Sequence, residues 1–256
     1  AQRGDDGRPD PHREEQHVSI HPAPPASRTT AEHPVELVTE YFARAIDALA
    51  EWKDALALEI ATMRRTGPVT TDRLDEVVEP SALRLFDTVD LPVYGSGFIA
   101  ALDSLADANS HLAWWQGPER AQLVLASQSV NKEHIDYSEL EWYRVPLATG
   151  EPHVAGPYVD YLCSDEYTIT VAAPVHVDGE FVGAVALDLL IDRVERDLTP
   201  RLAAFGDDIS IVNGVGRVLL STSPARETGD TIRGDDLAGF ERFACAGMAL
   251  DVLIAR

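Results

Sequence analysis

The chain has 256 residues, with 21 basic and 43 acidic side chains, a formal charge of −22 and an apolar fraction of 45%. A surface that acidic repels phosphate backbones and anionic bilayers, which excludes nucleic acid as a partner and argues against membrane binding. The apolar fraction is enough to build a core for one large domain or for a domain with a small appendage. The two cysteines, Cys163 and Cys245, are far apart in sequence and have no CxxC spacing, so neither a thiolate zinc site nor a disulfide framework is indicated.

Residues 1–32 are rich in Pro, Arg and Asp, nearly free of aliphatics, and read as a disordered tail. The tail's His12, His17 and His21 are read as solvated, not as metal ligands. No metal or cofactor is expected. From Pro34 the pattern changes. Val38, Phe42, Ala45, Leu49, Trp52, Leu56, Ile60 and Met63 recur at steps of four and three, the stripe of one amphipathic helix about 45 Å long. Arg64, Arg65, Gly67 and Pro68 mark its end. Thr70 or Thr71 caps a second helix running toward Thr88.

Strand signals follow. Val93 to Ala100 reads as a strand, and 102–109 as a short helix. Leu112–Gln116 and Ala121–Ser127 form a hairpin around Gly117-Pro118, and 128–138 form a loop. Strands are then expected at 141–145, 156–163, 167–177 and 180–191. Asp178-Gly179 joins the last two as a hairpin turn that needs φ > 0 at both positions. Asp192 caps a helix to about Phe205. Strands near 209–213 and 217–221 come next, with one more near the C-terminus. This order predicts an α+β fold: a long N-terminal helix packed on a PAS-like antiparallel sheet, with a small C-terminal strand appendage. The expected division is a tail at 1–32, a sensor unit at 33–205 and an extension at 206–256.

Sorting the hairpin strands by parity separates two faces. Ile169, Val171, Ala173, Val175 and Val177 face the same way as Phe181, Val185, Leu187 and Leu189, and this bulky face suits the stripe of the long helix. The other face holds Thr168, Thr170, Ala172, Ala184, Ala186 and Asp188, with Val182 in the same set. A carboxylate among alanines is costly unless something pairs with it. Tyr158 and Asp160 share a face of the preceding strand, and Trp142 and Tyr143 precede that. Aromatic rings and carboxylates around one hollow suit a cation. Of the adjacent Trp114 and Trp115, at most one can reach this hollow.

Trp142-Tyr143, Pro157-Tyr158-Val159-Asp160, Thr168 to Val175, Asp178-Gly179 and Val182 to Asp188 resemble the Cache (PDC, PAS-like) sensor domains of chemoreceptors and histidine kinases. The resemblance is specific between 142 and 191. It implies a small-molecule ligand held without turnover between the sheet and the loops above it. Residues carried over from amino-acid-binding members are Tyr137, Trp142, Tyr143, Tyr158 and Asp188, to which the parity argument adds Asp160 and Thr170. The departure is Leu140, where such members have the arginine that clamps an α-carboxylate. Loss of that clamp, with two carboxylates kept, favours an amine or polyamine over an amino acid. An enzyme using Asp160 and Asp188, with Cys163 or Ser164 near His153 or His176, is the rival, and no catalytic motif supports it.

The long helix is also expected to contact a second copy through the exposed side of its N-terminal half, and the output partner is unknown. Likeness to stand-alone Cache proteins points to the cytoplasm. The chain opens at Ala1, so a removed leader or anchor would place it outside the cytoplasm instead.

Overall fold

The computed structural model describes residues 33–123, 137–161 and 166–256. The expected tail, most of the second hairpin strand and its following loop, and Cys163 with Ser164 therefore lie outside the described residues.

Helix α1 (Pro34–Thr66) begins on a capping box. The ring Nδ1 of His33 accepts from the Val35 N–H at 3.3 Å, and Glu36 reaches back to the His33 N–H at 3.3 Å. These contacts satisfy N–H groups that a helix start leaves open. All eight residues of the predicted stripe are buried, joined by Leu37 and Tyr41. At the far end the Gly67 N–H donates to Met63 O at 3.0 Å, as the Gly-Pro signal anticipates. Helix α2 (Thr71–Thr88) has Thr70 at its N-cap, but that side chain makes no capping bond. The N–H and hydroxyl of Thr71 donate instead to the Asp107 carboxylate at 3.0 and 2.9 Å. The short helix expected over 102–109 does not form; the segment is a chain of turns that delivers Asp107 to α2.

The first sheet contains β1 (Val93–Ala100), β2 (Leu112–Gln116), β3 (Ala121–Gln122), β4 (His153–Val159), β5 (Tyr167–Val177) and β6 (Glu180–Leu190). Its strand order is β3-β2-β1-β6-β5-β4, and every pair is antiparallel. Helix α3 (Glu141–Thr149) precedes β4, and α4 (Ile191–Ala203) follows β6 directly. Asp192 sits in the first turn of α4, with Leu190 at its N-cap.

A second sheet has the order β8-β7-β10-β9, from β7 (Ile209–Asn213), β8 (Val218–Ser221), β9 (Phe240–Ala244) and β10 (Leu250–Ala255). The C-terminal strand anticipated from sequence is β10, and it lies centrally beside β7. The edge strand β9, with mostly exposed residues, gave no usable alternation.

One continuous core joins the α1 stripe to Ile169, Val171, Leu187 and Leu189 of the first sheet. It runs on through Val194, Leu198 and Leu202 of α4 to Ile211 and Val252 of the second. The Tyr41 hydroxyl donates to Asp197 Oδ2 at 3.3 Å across the α1–α4 interface. Burial first, then the Asp197 charge, pushes that phenol's pKa up.

The β5–β6 hairpin turns as predicted, with φ of 52° at Asp178 and 82° at Gly179. Parity then slips once. The register runs from Thr170↔Asp188 to Val175↔Gly183 and shifts to His176↔Phe181, which makes Val182 an extra residue. Phe181 therefore packs toward the face opposite α1, while Val182 joins the α1-side core, the reverse of the strict alternation. Gly183, at φ 148°, allows this: a Cβ there would lie 2.3 Å from Ile99 O.

Candidate functional site

Asp188 lies on the face of β6 turned away from α1, whose core holds Leu187 and Leu189. In register with it are Thr170 on β5 and Gly95 on β1. The residues along this face are small: Gly95, Gly97, Ala172 and Ala186. They leave a hollow lined by Ile99, Leu112, Trp114, Trp142, Tyr158, Asp160, Thr170, Ala186 and Asp188, with about 260 Å³ of atom-free space including its open mouth.

The carboxylate at the floor is 3% exposed. Thr170 Oγ1 donates to Asp188 Oδ1 at 2.6 Å. The Tyr158 hydroxyl bonds Thr170 Oγ1 in turn. A hydroxyl has one proton, so while Asp188 is ionised Thr170 gives its own to the carboxylate and Tyr158 must donate to Thr170. Asp160 is buried just beyond β4, its N–H donating to Glu166 O at 2.9 Å. Burial, and then the Asp160 charge, raise the Asp188 pKa well above the usual carboxylate range, against the pull of the Thr170 bond. A cation entering the hollow would reverse that balance, because an opposite charge stabilises the ionised form.

Trp142 reaches the hollow from a helix. Residues 141–149 form helix α3, not a strand. Leu140 is its N-cap, and Gly150 ends it with φ 72°. Successive helical residues are only about 100° apart, so Trp142 and Tyr143 are both buried against the sheet, where a strand would have split them. His153 Nε2 lies 2.8 Å from Glu141 Oε1 and ties the start of α3 to β4.

Tyr137 and Tyr143 do not line the hollow. Tyr137 donates to Ala100 O at 2.5 Å and packs with its ring tilted 58° and 5.1 Å from that of Tyr143, which meets Phe181 edge-on at 5.4 Å. Behind Trp142, whose ring is 6.2 Å from Tyr137, they hold α3 in place. Leu140 is 39% exposed and Arg144 exposed, so neither contributes to the lining.

Of the residues singled out from sequence, Trp142, Tyr158, Asp160, Thr170 and Asp188 come together around the hollow. Ile99, Leu112, Trp114 and Ala186 complete it. The tryptophan pair divides as alternation requires, with Trp114 toward the hollow and Trp115 in the α1-side core. The signal that marks Trp114 is the Gly95-x-Gly97 spacing, two missing side chains on one face of one strand. His153 is engaged with Glu141, and His176 is exposed beside Phe181; neither lines the hollow. Among the described residues no group of three or more His, Cys, Asp or Glu could hold a metal ion, and no helix is long and apolar enough to cross a membrane.

Residues 124–196 match the family described as the first PDC sensor domain of methyl-accepting-chemotaxis-protein-like receptors. No curated protein matches the chain. Among solved structures it is similar to the extracellular domain of a histidine kinase, soHK1S-Z6. That match has 14% identity and a TM-score of 0.58, covering 88% of this chain and 89% of the other. It is also similar to the ligand-binding domain of the Pseudomonas fluorescens chemoreceptor CtaA in complex with L-valine, at 15% identity and TM-score 0.57, covering 87% and 91%. The ligand-binding domain of the Pseudomonas aeruginosa PAO1 chemoreceptor PctB in complex with L-Arg gives 14% and 0.53, covering 87% and 91%. Matched segment and fold agree: residues 124–196 resemble a PDC, or Cache, sensor domain, and the chain has the fold of such domains.

Proposed function

We propose that this domain senses a small metabolite by its ammonium group, held at Asp188 without chemical turnover. The observation that carries the reading is the buried carboxylate at the floor of the hollow, with a second acid, Asp160, and the rings of Trp114, Trp142 and Tyr158 beside it. A desolvated ammonium between a carboxylate and aromatic faces gains both a charge-assisted hydrogen bond and a cation–π contact. Trp142, Tyr158, Asp160, Thr170 and Asp188 would contact the ligand, and Tyr137 and Tyr143 would support Trp142.

An amine is favoured by the lining, which has two carboxylates and no basic side chain among the described residues. An amino acid is the second reading, favoured by the L-valine and L-Arg complexes of CtaA and PctB. A thermal-shift screen of amines against amino acids separates the two. Stabilisation by amino acids alone would refute the amine choice, and stabilisation by neither would refute the site.

Residues 33–205 form the sensing unit in this proposal, with 206–256 as an extension sharing its core. The extracellular histidine-kinase domain supports the extracytoplasmic alternative, and the cytoplasmic expectation finds no support in the comparisons. Contact with a second copy through the N-terminal half of α1 is part of the same proposal. Sedimentation at several protein concentrations tests it, and a monomer throughout would remove it.

A further inference from the structure

The hollow has two poles. On β6, Asp188, Ala186 and Ala184 follow one another along the face, opposite Gly95, Gly97 and Ile99 on β1. Four residues of strand separate the level of Asp188 from that of Ile99, roughly 13 Å. Thr170, Tyr158 and Asp160 gather at the Asp188 end. Ile99 and Leu112 are directly paired across β1 and β2 and close the other end, with Ala186 between the two poles.

Along that axis lies the indole of Trp114. A Cβ on Gly95 would sit 2.8 Å from Trp114 Cζ2, and one on Gly97 2.7 Å from Trp114 Cε3. The ring is thus pressed flat on β1 from the middle of the hollow to the level of Asp188, in space that only two glycines leave open. Its Nε1 donates to Gln116 Oε1 at 3.1 Å, which fixes the ring's rotation. This is a smooth apolar wall ending at a carboxylate.

Resting on the ammonium reading, we propose that Trp114, Ile99 and Leu112 set specificity, selecting a ligand with a single positive charge and an apolar body that lies over Ala186 against the indole. A second ammonium, as in a diamine or polyamine, would be carried to Ile99 and Leu112 and stripped of water, with no acceptor in the lining there among the described residues. An apolar body gains about fourfold in affinity for each methylene buried along the wall.

The test is a thermal-shift titration of the wild-type chain and of Trp114→Ala and Trp114→Phe. The probes are straight-chain primary monoamines of increasing length, the α,ω-diamines of equal length, and leucine and phenylalanine against lysine. The expected result for the wild type is tightening with each added methylene up to a limit. Diamines and lysine should bind at least about tenfold more weakly than their single-charge counterparts of similar size. In Trp114→Ala the length limit should move to longer or bulkier probes, and Trp114→Phe, which keeps a ring, carries the same test if the alanine variant does not fold. Diamines as tight as monoamines, or a length profile that falls uniformly in the variants without moving its limit, would overturn the specificity assignment while leaving Asp188 as the anchor. Failure of every probe to stabilise the wild type would instead overturn the ammonium reading, and this inference with it.

Discussion

Replacing Asp188 by Asn tests the anchor with little disturbance to the fold. Asn has nearly the same shape, and its Oδ1 still accepts the Thr170 hydroxyl that now lies 2.6 Å from Asp188. The charge is what disappears. At a ligand concentration one hundred times Kd, the wild type gains about 2.7 kcal/mol. In a domain of this size that amounts to a rise in Tm of about 5–11 °C, at roughly 2–4 °C per kcal/mol. Removing one partner of a buried, hydrogen-bonded charge pair costs about 2–5 kcal/mol. Kd therefore rises from about 30-fold to several thousand-fold. At the same ligand concentration the variant retains less than about 1 kcal/mol of stabilisation, a shift under about 4 °C. Without ligand the variant should be at least as stable as the wild type, because a carboxylate desolvated at the floor of the hollow is relieved of its charge. Differential scanning fluorimetry with the best amine or amino acid from the screen measures both quantities. A full ligand-dependent shift in Asp188→Asn would refute the reasoning.

Trp142→Ala should weaken binding by about 1–2 kcal/mol, the range for a desolvated cation–π contact, and calorimetric titration showing unchanged affinity would move the site elsewhere. The pH dependence of the empty protein follows from the raised pKa of Asp188. Between the ordinary carboxylate value of about 3.9 and the raised one, the folded chain holds more protons than the unfolded chain, so this group's contribution to stability falls as pH rises and then levels off. The Tm advantage of Asp188→Asn over the wild type should accordingly grow with pH through that window; an advantage that shrinks with pH contradicts the assignment. Leu49→Ala, in the middle of the buried α1 stripe, should lose about 2–5 kcal/mol in urea denaturation, and a loss below 1 kcal/mol would mean α1 does not cover the sheet as described. Gly183→Ala should cost about 1–3 kcal/mol or more for a side chain at φ 148° that meets Ile99 O; a neutral effect in the same assay would argue against the bulge.

The sequence by itself determined whatever repeats within a few residues. The stripe from Val38 to Met63 fixes α1 and its buried face, because helical periodicity is a local property of spacing. Asp178-Gly179 fixes the hairpin, since few residues tolerate two positive φ values in succession. Alternation then places Thr170 and Asp188 on one face and Ile169 and Leu187 on the other. Only the tertiary structure decided what depends on distant partners. Residues 141–149 carry aromatics in a pattern that a short strand or a short helix serves equally well, and packing of Trp142 and Tyr143 against the sheet selects the helix. The extra residue Val182 is invisible locally, because a bulge is a property of two strands in register. Trp114 becomes a wall of the hollow only where β2 lies beside Gly95 and Gly97. The hollow itself arises for the same reason: an absence of side chains is distributed over β1, β5 and β6, and it acquires a shape only when pairing brings those strands side by side.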